Sequence, residues 1–199
     1  MMTGYSKFLR GAGATWVFIA ALTLIPALTS CRSAPTRIFT LYSVEPAAAP
    51  RSYAGPPIRV DAVHVPPALD RIEVVSNIAP GEISISDLDH WSAPLGQMAR
   101  QALTADMISR LPPGRVIFPH LTKLEGTLGL SVDVLDFKVD RRGAGLEASW
   151  IIAAADPKTG SSGGTVMLRT DIPGTGAAAT AQALSTLLGQ LADRIVADL

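Results

Sequence analysis

Cysteine is nearly missing from this chain: among 199 residues there is one, Cys31. A lone cysteine excludes an intramolecular disulfide, and with it a small disulfide-stapled scaffold. Aromatic residues are scarce too, at 6%, which argues against a base-stacking platform or an aromatic sugar cleft. Neither sign of charge dominates, because 17 basic side chains meet 17 acidic ones. With no basic block there is no electrostatic footprint for nucleic acid, and with no acidic tail there is no solvating arm. The three histidines, His64, His90 and His120, lie too far apart to share a helical face, and no Cys, Asp or Glu cluster has metal-ligand spacing. No metal is expected. There is no G-x-S-x-G elbow, P-loop or dinucleotide fingerprint. The serines of "TGSSGG" (Thr159–Gly164) are read as part of a hairpin loop. Asp136 and Asp140 would share a strand face, which is better read as a solvated edge than as an acid–base pair. No catalytic residue is expected, and the chain does not read as an enzyme.

What is present begins with polarity at the N-terminus. Lys7 and Arg10 precede an uncharged run, Gly11–Ser30. That is the layout of a secretory leader. The alternative is a retained span, since the run approaches the ~20 residues that cross a bilayer. Pro26 and the small residues before Cys31 favour cleavage. Leu28-Thr29-Ser30-Cys31 resembles the bacterial lipobox, an aliphatic residue and two small ones before the cysteine. The resemblance implies that the Cys31 sulfur takes a diacylglycerol in thioether linkage. Cleavage between Ser30 and Cys31 then frees an amine for a further acyl chain such as palmitate. A buried methylene contributes about 0.8 kcal/mol, and one chain holds a protein only marginally, so two or three chains make a durable anchor. The other reading is a soluble exported protein with a free thiol, which oxidising compartments disfavour. Residues 1–30 are thus expected to be a signal peptide, 31–36 a lipidated tether, and 37–199 the domain. Without the leader the chain carries 15 basic and 17 acidic side chains.

The domain's patterning changes along its length. "IFTLY" alternates β-branched, aromatic and apolar residues as a strand does. Ala47–Pro57 is an aperiodic loop rich in proline and alanine. In "IRVDAVHV" a straight strand would place Ile58, Val60, Ala62 and His64 on one face, until Pro66-Pro67 stops it. "RIEVVSN", "GEISISDLD" and "RVIFP" read as further short strands. Between them Leu95, Ala99, Ala102, Leu103, Met107 and Leu111 recur at helical spacing. Ser92 is placed to cap that helix, and Pro112-Pro113-Gly114 ends it. A three-strand meander follows. Its first strand carries Leu128, Leu130, Val132 and Val134 on one parity and Leu135, Phe137 and Val139 on the other. Either a bulge lies near Val134–Leu135 or the strand changes packing environment. Leu184, Leu187, Leu188, Leu191, Ile195 and Leu199 then form the stripe of an amphipathic C-terminal helix. The order implies an α+β fold: a mixed or antiparallel sheet with two amphipathic helices packed on one face.

Three stretches carry a family resemblance: "CRSAPTRIFTLYSVEP", "IRVDAVHVPPALDR" and "HWSAPLGQMARQALTADMISRLPPGRVIFP". Their lipobox, their V-P-x-x-L-D-R segment (Val65–Arg71) and their Trp91…Pro94-Leu95 helix start resemble the ABC-type transport auxiliary lipoproteins, the family of paraquat-inducible protein C. His90 departs from the Arg often found there. The resemblance implies a non-enzymatic auxiliary component of a mammalian-cell-entry-type (MCE) lipid transport system, with no cofactor beyond the diacylglycerol and N-acyl chain on Cys31. It implies a protein on the periplasmic face of the outer membrane, since Arg32 rather than Asp follows the cysteine. It implies an MCE-domain protein and an inner-membrane ABC transporter as partners, and a homo-oligomeric ring. Pro66, Leu69, Asp70 and Arg71 are the expected partner or subunit contact; the same four residues also suit a purely structural turn. Trp91 is read as a core residue. The alternative function is a periplasmic carrier that encloses a lipid chain.

Overall fold

The computed structural model describes residues 34–199 except 80, 123, 141, 142 and 155–159, with the backbone alone at 77–79. In chain order the elements are β1 (Arg37–Phe39), β2 (Ile58–His64), β3 (Glu73–Ala79), β4 (Glu82–Trp91), α1 (Leu95–Arg110), β5 (Val116–Ile117), β6 (Leu128–Asp140), β7 (Gly143–Ala153), β8 (Ser161–Thr170) and α2 (Gly176–Ala197). The leader and Cys31 lie outside the described residues. Thr36–Leu199 forms one compact unit. No helix among the described residues is long and apolar enough to cross a membrane.

Both helices follow from their periodicity. Every apolar residue of the α1 stripe is buried, as is every stripe residue of α2 through Ile195. Leu111 leaves the helix in an extended conformation, as the residue before a proline must. Pro112-Pro113 then removes two backbone donors, and Gly114 turns the chain at φ +80°.

The strands divide into two sheets. The larger has the order β5-β2-β6-β7-β8, and the smaller β1-β4-β3. β2 runs parallel to both β5 and β6, whereas β6, β7 and β8 are antiparallel. β1 is parallel to β4, and β3 antiparallel to it. The parallel β2–β6 pair needs a long crossover, and β3, β4, α1 and β5 lie within it, while β1 of the smaller sheet precedes β2. The α+β reading is thereby met, with its mixed sheet divided in two. The helices pack against each other, α1 contacting β2 and α2 contacting β7 and β8.

Two bulges decide which side chains reach the core. In β6 the register with β7 shifts between Val134 and Asp136. Leu130, Val132 and Val134 are buried on one parity, Phe137 and Val139 on the other, and Leu135 is left exposed. The parity change in the sequence is therefore a bulge. In β2 the register with β6 shifts between Val60 and Ala62. Val63 is buried while Ala62 is half-buried and His64 exposed, which corrects the straight-strand expectation for both. Arg59 and Asp61 pair at 2.6 Å across the irregularity.

A second correction concerns the serine-glycine segment. Ser161–Gly164 is not loop but the start of β8, paired with Trp150–Ala153 of β7. The reason is Trp150, which is 2% exposed. A Cβ on Gly164 would stand 2.7 Å from the indole Cζ2, so the absent side chain leaves the space that the ring fills. Gly164→Ala should therefore cost about 1–3 kcal/mol by overpacking. In a Trp150→Ala background the same change should cost less. Urea unfolding of the four proteins checks this, and equal costs in both backgrounds would show that the indole is not the obstacle.

Candidate docking surfaces

The turn Val65–Ile72 joins the end of β2 to β3. The Pro66 carbonyl accepts the Leu69 N–H at 2.8 Å and the Asp70 N–H at 3.1 Å. Leu69 packs on the core. Asp70 Oδ1 accepts the Gly96 N–H at 2.9 Å, satisfying one of the donors that a helix leaves unpaired in its first turn and placing negative charge at its positive end. Arg71 Nε meets Glu73 Oε2 at 2.8 Å. Donation from Arg71 holds the Glu73 carboxyl below its ordinary value. Pro66, Leu69, Asp70 and Arg71 are thus brought together in one turn against the start of α1, and each has an intramolecular partner.

The same spot unites the two sequence motifs. The Trp91 N–H donates to the Ile72 carbonyl, and Trp91 is buried at 5% exposure. Gly96 permits the close approach, because a Cβ there would stand 3.0 Å from the Val63 carbonyl and 3.4 Å from Asp70 Oδ1. Ser92 does not cap α1. Pro94 holds the N-cap position without a side-chain bond, and the Ser92 hydroxyl points to Met98 Sδ at 3.3 Å. The carboxylate of Asp70, 26 residues upstream of Gly96, takes the role expected of Ser92.

A cluster that sequence reasoning missed lies between the helices. Asp106 is 0% exposed and Arg110 is 4% exposed. Asp106 Oδ1 accepts the Ser43 hydroxyl at 2.9 Å and the Val44 N–H at 2.8 Å. Arg110 reaches Asp106 Oδ1 at 3.3 Å and Asp193 of α2 at 2.6 Å, and donates to the Val44 carbonyl at 3.2 Å. The segment following β1 is therefore strapped across the seam between α1 and α2. Tyr42 N–H on Ser185 Oγ and Arg51 on the last carbonyls of α2 extend the strap. Burial pushes the Asp106 carboxyl above its ordinary value, against the Val44 N–H, the Ser43 hydroxyl and Arg110, which favour the charge; Asp193 adds to the rise. The signal was in the sequence, an Asp–Arg pair at i, i+4 set into an otherwise apolar face.

The outer face of the larger sheet carries an open concavity of about 790 Å³, lined by Asp136, Lys138, Glu147, Met167, Arg169 and residues around them. Asp136 pairs with Lys138, which raises the lysine above its ordinary value. Of the histidines, His64 and His120 are exposed and His90 is half-buried. Among the described residues no group of three or more His, Cys, Asp or Glu is arranged to hold a metal ion.

A family model described as the ABC-type transport auxiliary lipoprotein component matches residues 39–196. The chain belongs to that family. No curated protein matches this chain significantly. Solved structures resemble it in fold. One is a crystal structure of an uncharacterized protein, with TM-score 0.67 and 17% identity over 82% of this chain and 98% of that one. Another is a Xanthomonas campestris protein assigned to the DUF330 family, with TM-score 0.57 and 18% identity over 80% and 92%. In this chain the V-P-x-x-L-D-R turn and the Trp91 helix start are partners in one contact, the turn after β2 against the start of α1.

Two outcomes follow from these contacts. Asp70→Ala should destabilise the domain by about 0.5–2 kcal/mol, the range for losing a cap, read as a lower urea midpoint at unchanged slope; an unchanged midpoint would remove Asp70 from that role. For Asp106, a carboxyl whose folded pKa lies above its unfolded value stabilises most in acid, and the contribution is lost as pH rises through the folded pKa. The stability of wild type relative to Asp106→Asn should therefore increase as pH is lowered from neutral toward the ordinary carboxylate range. A difference that is flat, or that shrinks in acid, would show that Arg110 outweighs burial.

Proposed function

We propose that this chain is exported, cleaved between Ser30 and Cys31, and lipidated on Cys31, and that it serves as a non-enzymatic docking component of an MCE-type ABC lipid transport system at the periplasmic face of the outer membrane. One observation carries the reading: the family match begins at residue 39, eight residues after the lone cysteine that follows the uncharged run Gly11–Ser30. The acyl chains hold the domain to the bilayer, and the domain offers surfaces rather than chemistry. Its partners in this reading are an MCE-domain protein and, through it, an inner-membrane ABC transporter; further copies of the chain would assemble into a ring.

Two features support docking over lipid carriage. The space between sheet and helices is filled by buried Leu, Ile, Val, Ala and Trp side chains. The concavity on the larger sheet is open and lined by charged residues of both signs, which suits a protein contact and not an acyl chain. The turn holding Pro66, Leu69, Asp70 and Arg71 is the proposed partner or subunit contact: Asp70 is exposed, and its hydrogen bond to α1 presents it in a fixed geometry.

Affinity capture from native membranes tests the proposal. Wild type should retain ABC and MCE components, whereas Cys31→Ser should remain an uncleaved precursor or become soluble and retain neither. Unchanged processing and membrane residence of Cys31→Ser would remove acylation from the account. Capture of neither component by lipidated wild type would remove the transport system.

A further inference from the structure

The smaller sheet buries one side and leaves the other open, and its pairing fixes which residues share a side. Ile85 stands opposite Val75, Ile83 opposite residue 77, and His90 opposite both Glu73 and Ile38. β4 places four residues between Ile85 and His90 where β3 places one between Val75 and Glu73. The extra length is taken up on β4, where the Asp89 N–H turns back to Ser86 Oγ at 3.0 Å. β3 keeps its alternation, so Val75, Ile83, Ile85 and Ile38 lie on one side. Val74 and Trp91 lie on the other and are buried. On the open side Ile38 is 70% exposed, Ile83 43% and Ile85 42%, with Ile72 and Leu88 also exposed nearby. A sheet face that exposes isoleucine on two adjacent strands is not an ordinary solvated surface.

Charge and chain length say what meets it. Two carboxylates beside this face are neutralised, Asp89 by Arg37 at 2.7 Å and Glu73 by Arg71 at 2.8 Å, while Asp87 of β4 is exposed. His90 is half-buried there, and Glu82 stands at the far end of β4. β1 begins at Arg37, six residues after Cys31. A fully extended chain spans at most about 3.3–3.6 Å per residue, so β1 starts within roughly 20 Å of the Cys31 sulfur. A compact domain of this length has a radius of gyration of about 15 Å. The tether is too short to let the domain roll freely, and the part of the domain it draws to the bilayer is the edge strand of this sheet.

We infer that the open face of the smaller sheet, Ile38, Val75, Ile83 and Ile85, rests on the lipid surface that holds the acylated Cys31. The inference depends on the lipidation proposed above. Apolar side chains at the headgroup boundary add a second signal to the acyl chains. They also fix the rotation of the domain about its tether. The face needs no basic cluster, because the anchor delivers it to the bilayer.

An acylated Cys31 leaves no free thiol, so an introduced cysteine is a unique label site. The full lipidated protein, carrying Ile38→Cys, Ile85→Cys or, on the outer face of the larger sheet, Ile151→Cys, is labelled with an environment-sensitive fluorophore. It is then bound to vesicles of phosphatidylethanolamine and phosphatidylglycerol. Labels at 38 and 85 should lose quenching by aqueous iodide and gain quenching by doxyl-labelled lipid, while the label at 151 keeps iodide access. If the protein floats with the vesicles yet the label at 85 behaves like that at 151, the face does not touch lipid. Protection at 85 from both quenchers would mean that protein covers it, and would equally overturn the inference. If instead the protein fails to float and Cys31 itself takes the label, the lipidation reading fails and this inference falls with it.

Discussion

β6 can bury Leu130, Val132, Val134, Phe137 and Val139 only because Leu135 bulges out of the ladder. Without that extra residue, half of the strand's apolar side chains would face water. β6 is also the strand through which the larger sheet is assembled, parallel to β2 on one side and antiparallel to β7 on the other. The position of α1 over β2 and of α2 over β7 and β8 thus depends on one register shift. Each fully buried Leu, Ile or Val along that seam contributes about 1.5–3 kcal/mol relative to exposure.

Covering one face of the larger sheet leaves its other face open, and the smaller sheet is open on one side as well. The two surfaces differ in chemistry. Glu147, Lys138 and Arg169 line the first, whereas isoleucine dominates the second. The proposed docking role at a bilayer would use such a division, with one surface for lipid and another for protein. The strap through Ser43 and Val44 onto Asp106 and Arg110 seats the segment after β1 on both helices.

Periodicity made both helices and the β6 bulge legible, because a 3.6-residue stripe and a change of parity are properties of the sequence itself. It failed where a contact reached across the fold. Ser92 looked like a cap, but the carboxylate that bonds to Gly96 comes from Asp70, and no local pattern encodes that approach. Ser161–Gly164 looked like loop because glycine weakens strands; the Trp150 indole that fills the glycine's space is distant in sequence. His64 looked inward because Ala62 continues the parity of Ile58 and Val60 and so masks the switch to Val63 and Val65. The turn Pro66–Arg71 and the Trp91 helix start were legible as motifs, though that they form one contact was not.

Membership in the transport auxiliary lipoprotein family, a lone cysteine behind an uncharged run, and an adjoining domain with buried apolar core and open charged surface form one account. It joins the proposed acyl anchor to the proposed docking domain. Mass spectrometry of the N-terminal peptide from the envelope-purified protein tests that account most directly. It predicts a peptide beginning at Cys31 and heavier by a diacylglycerol and a fatty acyl group. A peptide with an earlier start, or one beginning at Cys31 with its sulfhydryl free, would contradict it.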